Sequence, residues 1–436
     1  MIKKTTILIA LFAMVFNSCK KDFLDVNEDP SQVADVPPKL LLSSIESQIA
    51  YAQGGDAARL TGVFMQHYTG AARQFASYQI YKISPSDVDN LWRFNLYAGA
   101  LQDAKLLERK SISNAYPEYN GVSKILLAYG LGFTTDLWGD IPFSEAFQAT
   151  DNLQPAFDSQ QNIYSAIFDL LDQGISVLSS APGTGLVPKG DDFLFGGDLD
   201  MWIKFAHSLK ARYYLHLVKV DPSNAGKALL EIPLGFADGE NASFNFGTDE
   251  TSANPFYQYN DQRGDISYSG TLINYMISTS DPRLDEYADT STGAMGAFFS
   301  SINSPVDYMT YVELKFVQAE AAFRTSDLAG AATAFNEAVI ASVLRINGSP
   351  DSLFEATYAN ENSGTITLDK IMMQKYVAMY THPESWTDWR RTNIPNLTPT
   401  AGTAIPRSFW YPESEVNYNS NTPANTSLLR KVWWDL

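Results

Sequence analysis

The sequence predicts a mainly α-helical protein in which tetratricopeptide-like helical pairs support an irregular, loop-rich part. Three observations lead there. From Lys39 onward, apolar residues recur every third or fourth position through most of the 436-residue chain, which is the spacing of amphipathic helices. The stretch "YVELKFVQAEAAFRTSDLAGAATAFNEAVIASVL" reads as a tight antiparallel helix pair. Its first helix carries Leu314, Val317 and Ala321 on one face, Asp327 is placed to cap the second, and Ala331, Ala334, Phe335 and Ala338 form that helix's small-residue face, so the two can approach closely as tetratricopeptide pairs do. Between about residues 231 and 308 the helical period lapses into Gly, Asn, Asp, Ser and Tyr, with one helix expected at "GTLINYMIS". Long ordered loops of this kind are commonly functional.

Taken in order, the chain opens with "MIKKTTILIALFAMVFNSC", two lysines followed by an almost wholly apolar run from Thr5 to Phe16. About 20 apolar residues are needed to cross a bilayer as a helix, so the run reads as a signal peptide over residues 1–18. Cys19, the only cysteine, stands where bacterial lipoprotein processing acylates a thiol, and two or three acyl chains give stable anchoring. The alternative is an ordinary secretory signal with an incidental cysteine. One cysteine allows no disulfide within the chain, so the fold rests on its core. Residues 19–38 are polar, proline-bearing and without apolar period, and are expected to form a lipidated tether. A single domain then spans 39–436. It begins with "KLLLSSIESQIAYAQ" and, after a break at Gly54-Gly55, "DAARLTGVFMQHYTG". Further helices are expected near 91–109, 119–136, 160–179, 199–219, 222–230, 309–325, 328–345 and 367–381.

Composition narrows the chemistry. With 49 acidic and 31 basic residues, the formal charge of −18 repels phosphate backbones and anionic lipid heads, so nucleic acid is excluded as a partner. His67, His207, His216 and His382 lack the i, i+4 spacing of a helical zinc site and read as ordinary core or surface histidines. No G-x-S-x-G elbow, phosphate-binding glycine loop or dinucleotide fingerprint is present. No catalytic residue, cofactor or metal site is therefore expected, and the protein is read as a binder. Glycosidic cleavage needs only two well-placed carboxylates, which leaves an all-helical glycoside hydrolase or lyase as the rival. The acidic stretches "SPSDVDN" at 84–90 and "KGDDFLFGGDLD" at 189–200 lack the ligand spacing of an EF-hand and read as solvated or helix-capping carboxylates. Asp198 or Asp200 is a cap candidate, and Trp202, Phe205, Leu209, Tyr213 and Leu217 fall on one stripe expected to be core. Trp386 and Trp389 are likewise expected to be core.

Several segments, in order, resemble the SusD/RagB family of outer-membrane nutrient-binding lipoproteins. They are "SCKKDFLDVNEDPSQVADVPPKLLL", "DLWGDIPFSEAF", "FLFGGDLDMWIKFAHSLKAR", "DPRLDEY", "QAEAAFRTSDLAGAATAFNEAV", "QKYVAMYTHPESWTDWRRTNIP", "IPRSFWYPESEVNYN" and "KVWWD". Asn27 to Pro30 and Pro37 to Leu41 match the N-x-x-P and P-P-x-L-L elements of one branch. The resemblance implies four tetratricopeptide-like pairs and a loop-rich part that carries the ligand site. It also implies lipid anchoring on the outer membrane, facing the cell exterior, with a SusC-like TonB-dependent transporter as partner. A neutral glycan is the expected ligand, and an oligopeptide the runner-up.

Sugars present weakly polar faces that stack on aromatic rings and hydroxyls that pair with planar polar groups. Two segments supply such residues. "TGAARQFASYQIYKISP" offers Arg73, Phe75, Tyr78 and Tyr81, and "NPFYQYNDQRGDISYSG" offers Tyr257, Tyr259, Asn260, Arg263 and Tyr268. The alternative is that these aromatics pin the loops to the helical base.

Overall fold

The apolar period read from the sequence becomes a frame of helices in a computed structural model, which describes residues 35–424 and 427–436. The signal peptide, Cys19 and most of the tether lie outside the described residues. Pro38–Leu436 pack as one unit. The frame runs through α1 (Pro38–Ala52), α2 (Gln102–Asn114), α3 (Pro117–Trp138), α4 (Gln160–Ser180), α5 (Leu199–His216), α6 (Asn224–Glu231), α7 (Tyr311–Arg324), α8 (Leu328–Asn347), α9 (Leu368–Ala378) and α10 (Glu384–Thr392). Successive helices stack in space: α2 on α3, α3 on α4, α4 on α5, α5 on α6, α6 on α7, and α7 on both α8 and α9. Each thereby buries its apolar stripe on its neighbours, the arrangement of helical-repeat proteins.

Side-chain caps fix where the helices begin. The Asp198 carboxylate accepts the backbone N–H groups of Asp200 and Met201 at the start of α5, and Asp327 accepts that of Gly330 at the start of α8, satisfying donors that a helix leaves unpaired. The predicted stripe of α5 is buried, Trp202, Phe205 and Leu209 completely. The α7–α8 pair closes on Val317, Ala321, Ala331, Ala334, Phe335 and Ala338, each at most 2 % exposed. Glycine permits the closest helix approach: a methyl at Gly121 of α3 would strike Leu178 of α4 and lie 3.2 Å from the Gly174 carbonyl oxygen.

Buried ion pairs lock the frame. Arg212 of α5 meets Glu313 of α7 through Nε at 2.6 Å and Nη2 at 2.5 Å. Arg391 of α10 meets Glu320 of α7 at 2.8 and 2.9 Å. All four groups are buried, where losing one partner would strand a charge in low dielectric.

The break expected at Gly54-Gly55 is a kink between Pro38–Ala52 and the helix Ala58–Phe64, where Gly55 leaves helical geometry (φ −97°, ψ −113°). One expectation needs correction: the region at 231–308 is more regular than its composition suggests. Besides the expected helix at Thr271–Thr279, it holds helices at Pro255–Gln262, Leu284–Tyr287 and Ala297–Ser300, and a strand, Asn241–Phe244, that pairs antiparallel with Val306–Thr310. The first of these begins where Asn254 accepts the N–H groups of Phe256 (2.7 Å) and Tyr257 (3.1 Å), with Pro255 at the first helical position, a start signal that the polar composition masks. Arg283 moors this region to the frame. Fully buried, it binds Asp281 through Nε (2.8 Å) and Nη2 (2.6 Å), Ser342 of α8 (2.7 Å) and Gln374 of α9 (2.9 Å).

Candidate functional site

The two aromatic segments singled out in the sequence, almost 200 residues apart, meet in the fold. Thr69 and Gly70 pair antiparallel with Ser267 and Ile266, and the Asp265 carbonyl accepts the N–H groups of Ala71 (2.8 Å) and Ala72 (3.1 Å). Gly70 is required here, because a Cβ would collide with the Phe75 backbone carbonyl. This short ladder sets Asp265, fully buried as a side chain, between two arginines. Arg73 pairs with one of its oxygens. Arg263 reaches the other through Nη2 at 2.7 Å and Nε at 3.1 Å, and Tyr259 donates its hydroxyl to that same oxygen at 2.9 Å. Burial alone would raise the Asp265 pKa, but the hydrogen bonds from Tyr259, Arg73 and Arg263 outweigh it and hold the carboxyl below the usual range.

The nine candidates divide by exposure. Arg73 and Arg263 keep 62 % and 39 % of their side-chain surface open, while Tyr81, Tyr257 and Tyr259 are half-buried. These five present a polar and aromatic surface. Phe75, Tyr78 and Tyr268 are buried and leave no ring face for a ligand, so their part is to pin the segments, the alternative that the sequence left open. The Phe75 ring lies 5.1 Å from Tyr78 and 5.3 Å from Tyr259. Tyr78 donates to Asp87 at 2.7 Å. Tyr268 packs edge-on to Tyr68 at 5.6 Å and donates to Asn260, whose amide turns to Met295 Sδ at 3.5 Å. Tyr81 belongs to a neighbouring contact, its hydroxyl accepting the Thr400 N–H at 3.0 Å. Arg59, which the sequence reading passed over, lies 4.6 Å above the Tyr259 ring. Asp265 was passed over as well, although it stands inside the quoted stretch. No periodicity marks either residue, since both act across the ladder.

Cavities adjoin the frame. A partly open one of about 70 Å³ is lined by Phe298, Phe299, Asp307, Arg345 and His382 among others. An open groove of about 610 Å³ lies between Ile83–Pro85 and Trp410–Ala424, within the range of ligand sites.

A buried cluster, Asp136 of α3, His216 of α5 and Glu384 of α10, offers atoms within 4.8 Å of one another, so His216 is no ordinary core histidine. Its Nε2 is 2.7 Å from Glu384, and its Nδ1 is 2.8 Å from the Tyr164 hydroxyl and 3.3 Å from Asp136. Asp136 also accepts Tyr164 (2.6 Å) and the Trp434 indole N–H (2.9 Å). Both imidazole nitrogens are committed, which describes a cation held between two carboxylates. Burial would lower the imidazole pKa, but Glu384 and Asp136 outweigh it and raise it to about 9. The acidic stretch at 189–200 also does structural work. Asp192 is buried, accepting N–H groups from Leu194, Phe195, Gly197 and the Trp202 indole at 2.8–3.1 Å.

A helical-repeat frame that carries an irregular, loop-borne polar and aromatic surface defines a helical scaffold protein. The chain belongs to the SusD-like family whose model, described as "Starch-binding associating with outer membrane", matches residues 30–300 and 291–412. No curated protein matches the sequence. Among solved structures, a SusD/RagB family protein from Bacteroides thetaiotaomicron is similar at TM-score 0.74 and 22% identity, covering 92% of this chain and 99% of its own. A chitin-binding protein aligns at TM-score 0.77 and 22% identity over 92% of this chain and 100% of its own. A chitin-binding SusD homolog from Flavobacterium johnsoniae aligns at 0.73 and 20% identity over 92% and 97%. Among the described residues, no helix is long and apolar enough to cross a membrane.

Proposed function

We propose that this protein is a nutrient-binding lipoprotein of the outer membrane that faces the cell exterior, holds a neutral oligosaccharide and passes it to a SusC-like TonB-dependent transporter. The observation that carries the reading is membership of a family described as starch-binding and outer-membrane-associated. The Asp265 cluster supports it. Tyr257 and Tyr259 offer ring surface for the C–H faces of a sugar, and Arg73 and Arg263 offer planar donors for its hydroxyls. The cluster favours binding over cleavage, because glycosidic hydrolysis needs a protonated carboxyl beside a second carboxylate, whereas Asp265 is an anion held by two arginines.

Calorimetry of the soluble, acyl-free protein against neutral oligosaccharides tests the ligand. Tyr257→Ala is expected to weaken binding while thermal unfolding stays unchanged, whereas Tyr259→Ala and Arg263→Ala, which also strip partners from the buried Asp265 carboxylate, are expected to weaken binding and lower the unfolding temperature together. Unaltered binding in the variant that combines all three removes this cluster from the function, and binding of oligopeptides instead of saccharides revises the ligand class. Co-purification from native membranes tests the transporter. For the anchor, mass spectrometry is expected to find acyl groups on Cys19, and Cys19→Ala to release the protein from membranes.

A further inference from the structure

The open groove between Ile83–Pro85 and Trp410–Ala424 has a chemistry of its own. Its floor is set by Trp410, whose indole N–H donates to the Ile83 carbonyl at 2.8 Å and whose own carbonyl accepts the Trp138 indole N–H at 2.8 Å. The ring is thereby held in place, with its one donor already used, which leaves it a role as a stacking surface. The rim hydroxyls are oriented too. Ser84 donates to Asp87 at 2.6 Å, Ser420 to Gln154 at 2.7 Å and Thr422 to the Asn419 carbonyl at 2.8 Å. With those protons committed within the protein, Ser420 and Thr422 keep oxygen lone pairs for a donor. None of the described residues lining the groove is ionisable by type except Tyr411, and its hydroxyl donates to the Asp140 carbonyl at 3.0 Å. In a chain of net charge −18, such a lining offers nothing to neutralise a charged ligand, and it suits one that donates hydrogen bonds and carries apolar faces.

The groove is mechanically joined to the Asp265 cluster. Asp87 accepts the Tyr78 hydroxyl from the cluster side at 2.7 Å, and the Ser84 N–H (2.7 Å) and hydroxyl from the groove side. At most about 22 Å of extended chain separates Tyr78 from Ser84. One polymer is therefore able to touch both places.

We infer that the groove floored by Trp410 is a second contact for the same neutral saccharide chain, so that the protein selects long oligosaccharides over short ones by engaging them at two joined sites. The inference rests on the saccharide reading proposed above. Linking two weak contacts multiplies affinity without new chemistry at either.

The test is calorimetry of the acyl-free protein with cello-, xylo-, malto- and chito-oligosaccharides from disaccharide to octasaccharide. Val416 lines the groove and is 57 % exposed, so Val416→Arg fills the groove without removing a buried contact. That variant is expected to weaken octasaccharide binding about tenfold or more while changing disaccharide affinity at the Asp265 cluster less than twofold. Trp410→Phe, which keeps a ring but loses area and the N–H, is expected to fall between the two. Octasaccharide affinity unchanged in Val416→Arg, or equal affinity of the wild type for short and long chains, overturns the second contact and leaves the saccharide reading standing. Failure of the wild type to bind any member of the four series removes both.

Discussion

The Asp136–His216–Glu384 cluster makes a quantitative prediction. His216 has a folded pKa of about 9 against an ordinary 6.5. A base whose pKa is raised by folding contributes stability that is fully present below 6.5 and is lost as pH rises through 9. The difference of 2.5 units corresponds to about 3 kcal/mol, and burial of the imidazole leaves little solvent to screen it. Glu384 is the same interaction seen from the carboxylate, held far below its usual range against burial by His216, so its contribution is not added again. Urea denaturation of the acyl-free protein at intervals from pH 6 to 10 is expected to show stability falling across this range. His216→Gln leaves two buried carboxylates without their cation, which costs about 3–5 kcal/mol at neutral pH, and its stability is expected to be nearly flat over the same interval. The informative quantity is the difference between wild type and variant, since exposed lysines and tyrosines titrate alike in both. A difference that stays constant from pH 6 to 10 would refute the cationic assignment.

On the acid side the sign reverses. Burial lowers the His67 pKa to about 3, and burial followed by Arg212 lowers that of His382 to about 4; both stay neutral in the fold while their unfolded counterparts protonate. Stability is expected to fall as pH drops below 6.5, and His67→Gln to reduce that fall by roughly half; an equal fall in the variant counts against it. Arg283→Met strands Asp281 and is expected to cost about 3–5 kcal/mol, much of it restored by adding Asp281→Leu; a loss under about 1 kcal/mol in the single variant would contradict the mooring role. Gly121→Ala is expected to lower the unfolding temperature even though alanine gains about 1 kcal/mol over glycine in a free helix. A raised temperature would mean that α3 and α4 have room between them.

The helical frame was legible because burial of one stripe imposes a period on the sequence, and Asp198 and Asp327 announced their helix starts by residue type. The short helix at Pro255–Gln262 was not seen, because its residues are polar around most of the surface and only the Asn254-Pro255 pair marks it. The candidate site was half legible. Aromatic and arginine content drew attention to two segments that meet in the fold, but nothing in either segment says that Asp265 will collect both arginines, or that Phe75, Tyr78 and Tyr268 will turn inward. Those outcomes depend on pairing across almost 200 residues. The same limit applies to Asp136, His216 and Glu384, drawn from three helices with no local pattern linking them.

The mooring by Arg283 bears on which parts of the irregular region are free to vary. Its grip on Ser342 and Gln374 secures the irregular region from behind, while the Thr69–Gly70 ladder clamps the front. A side chain displayed between those fastenings that makes no such bond, Tyr257 for one, contributes little to holding the backbone, so its replacement carries little risk to folding, whereas Arg263 also serves the buried Asp265. Substitutions there can accumulate one residue at a time, with the fastenings as the letters that must be copied faithfully.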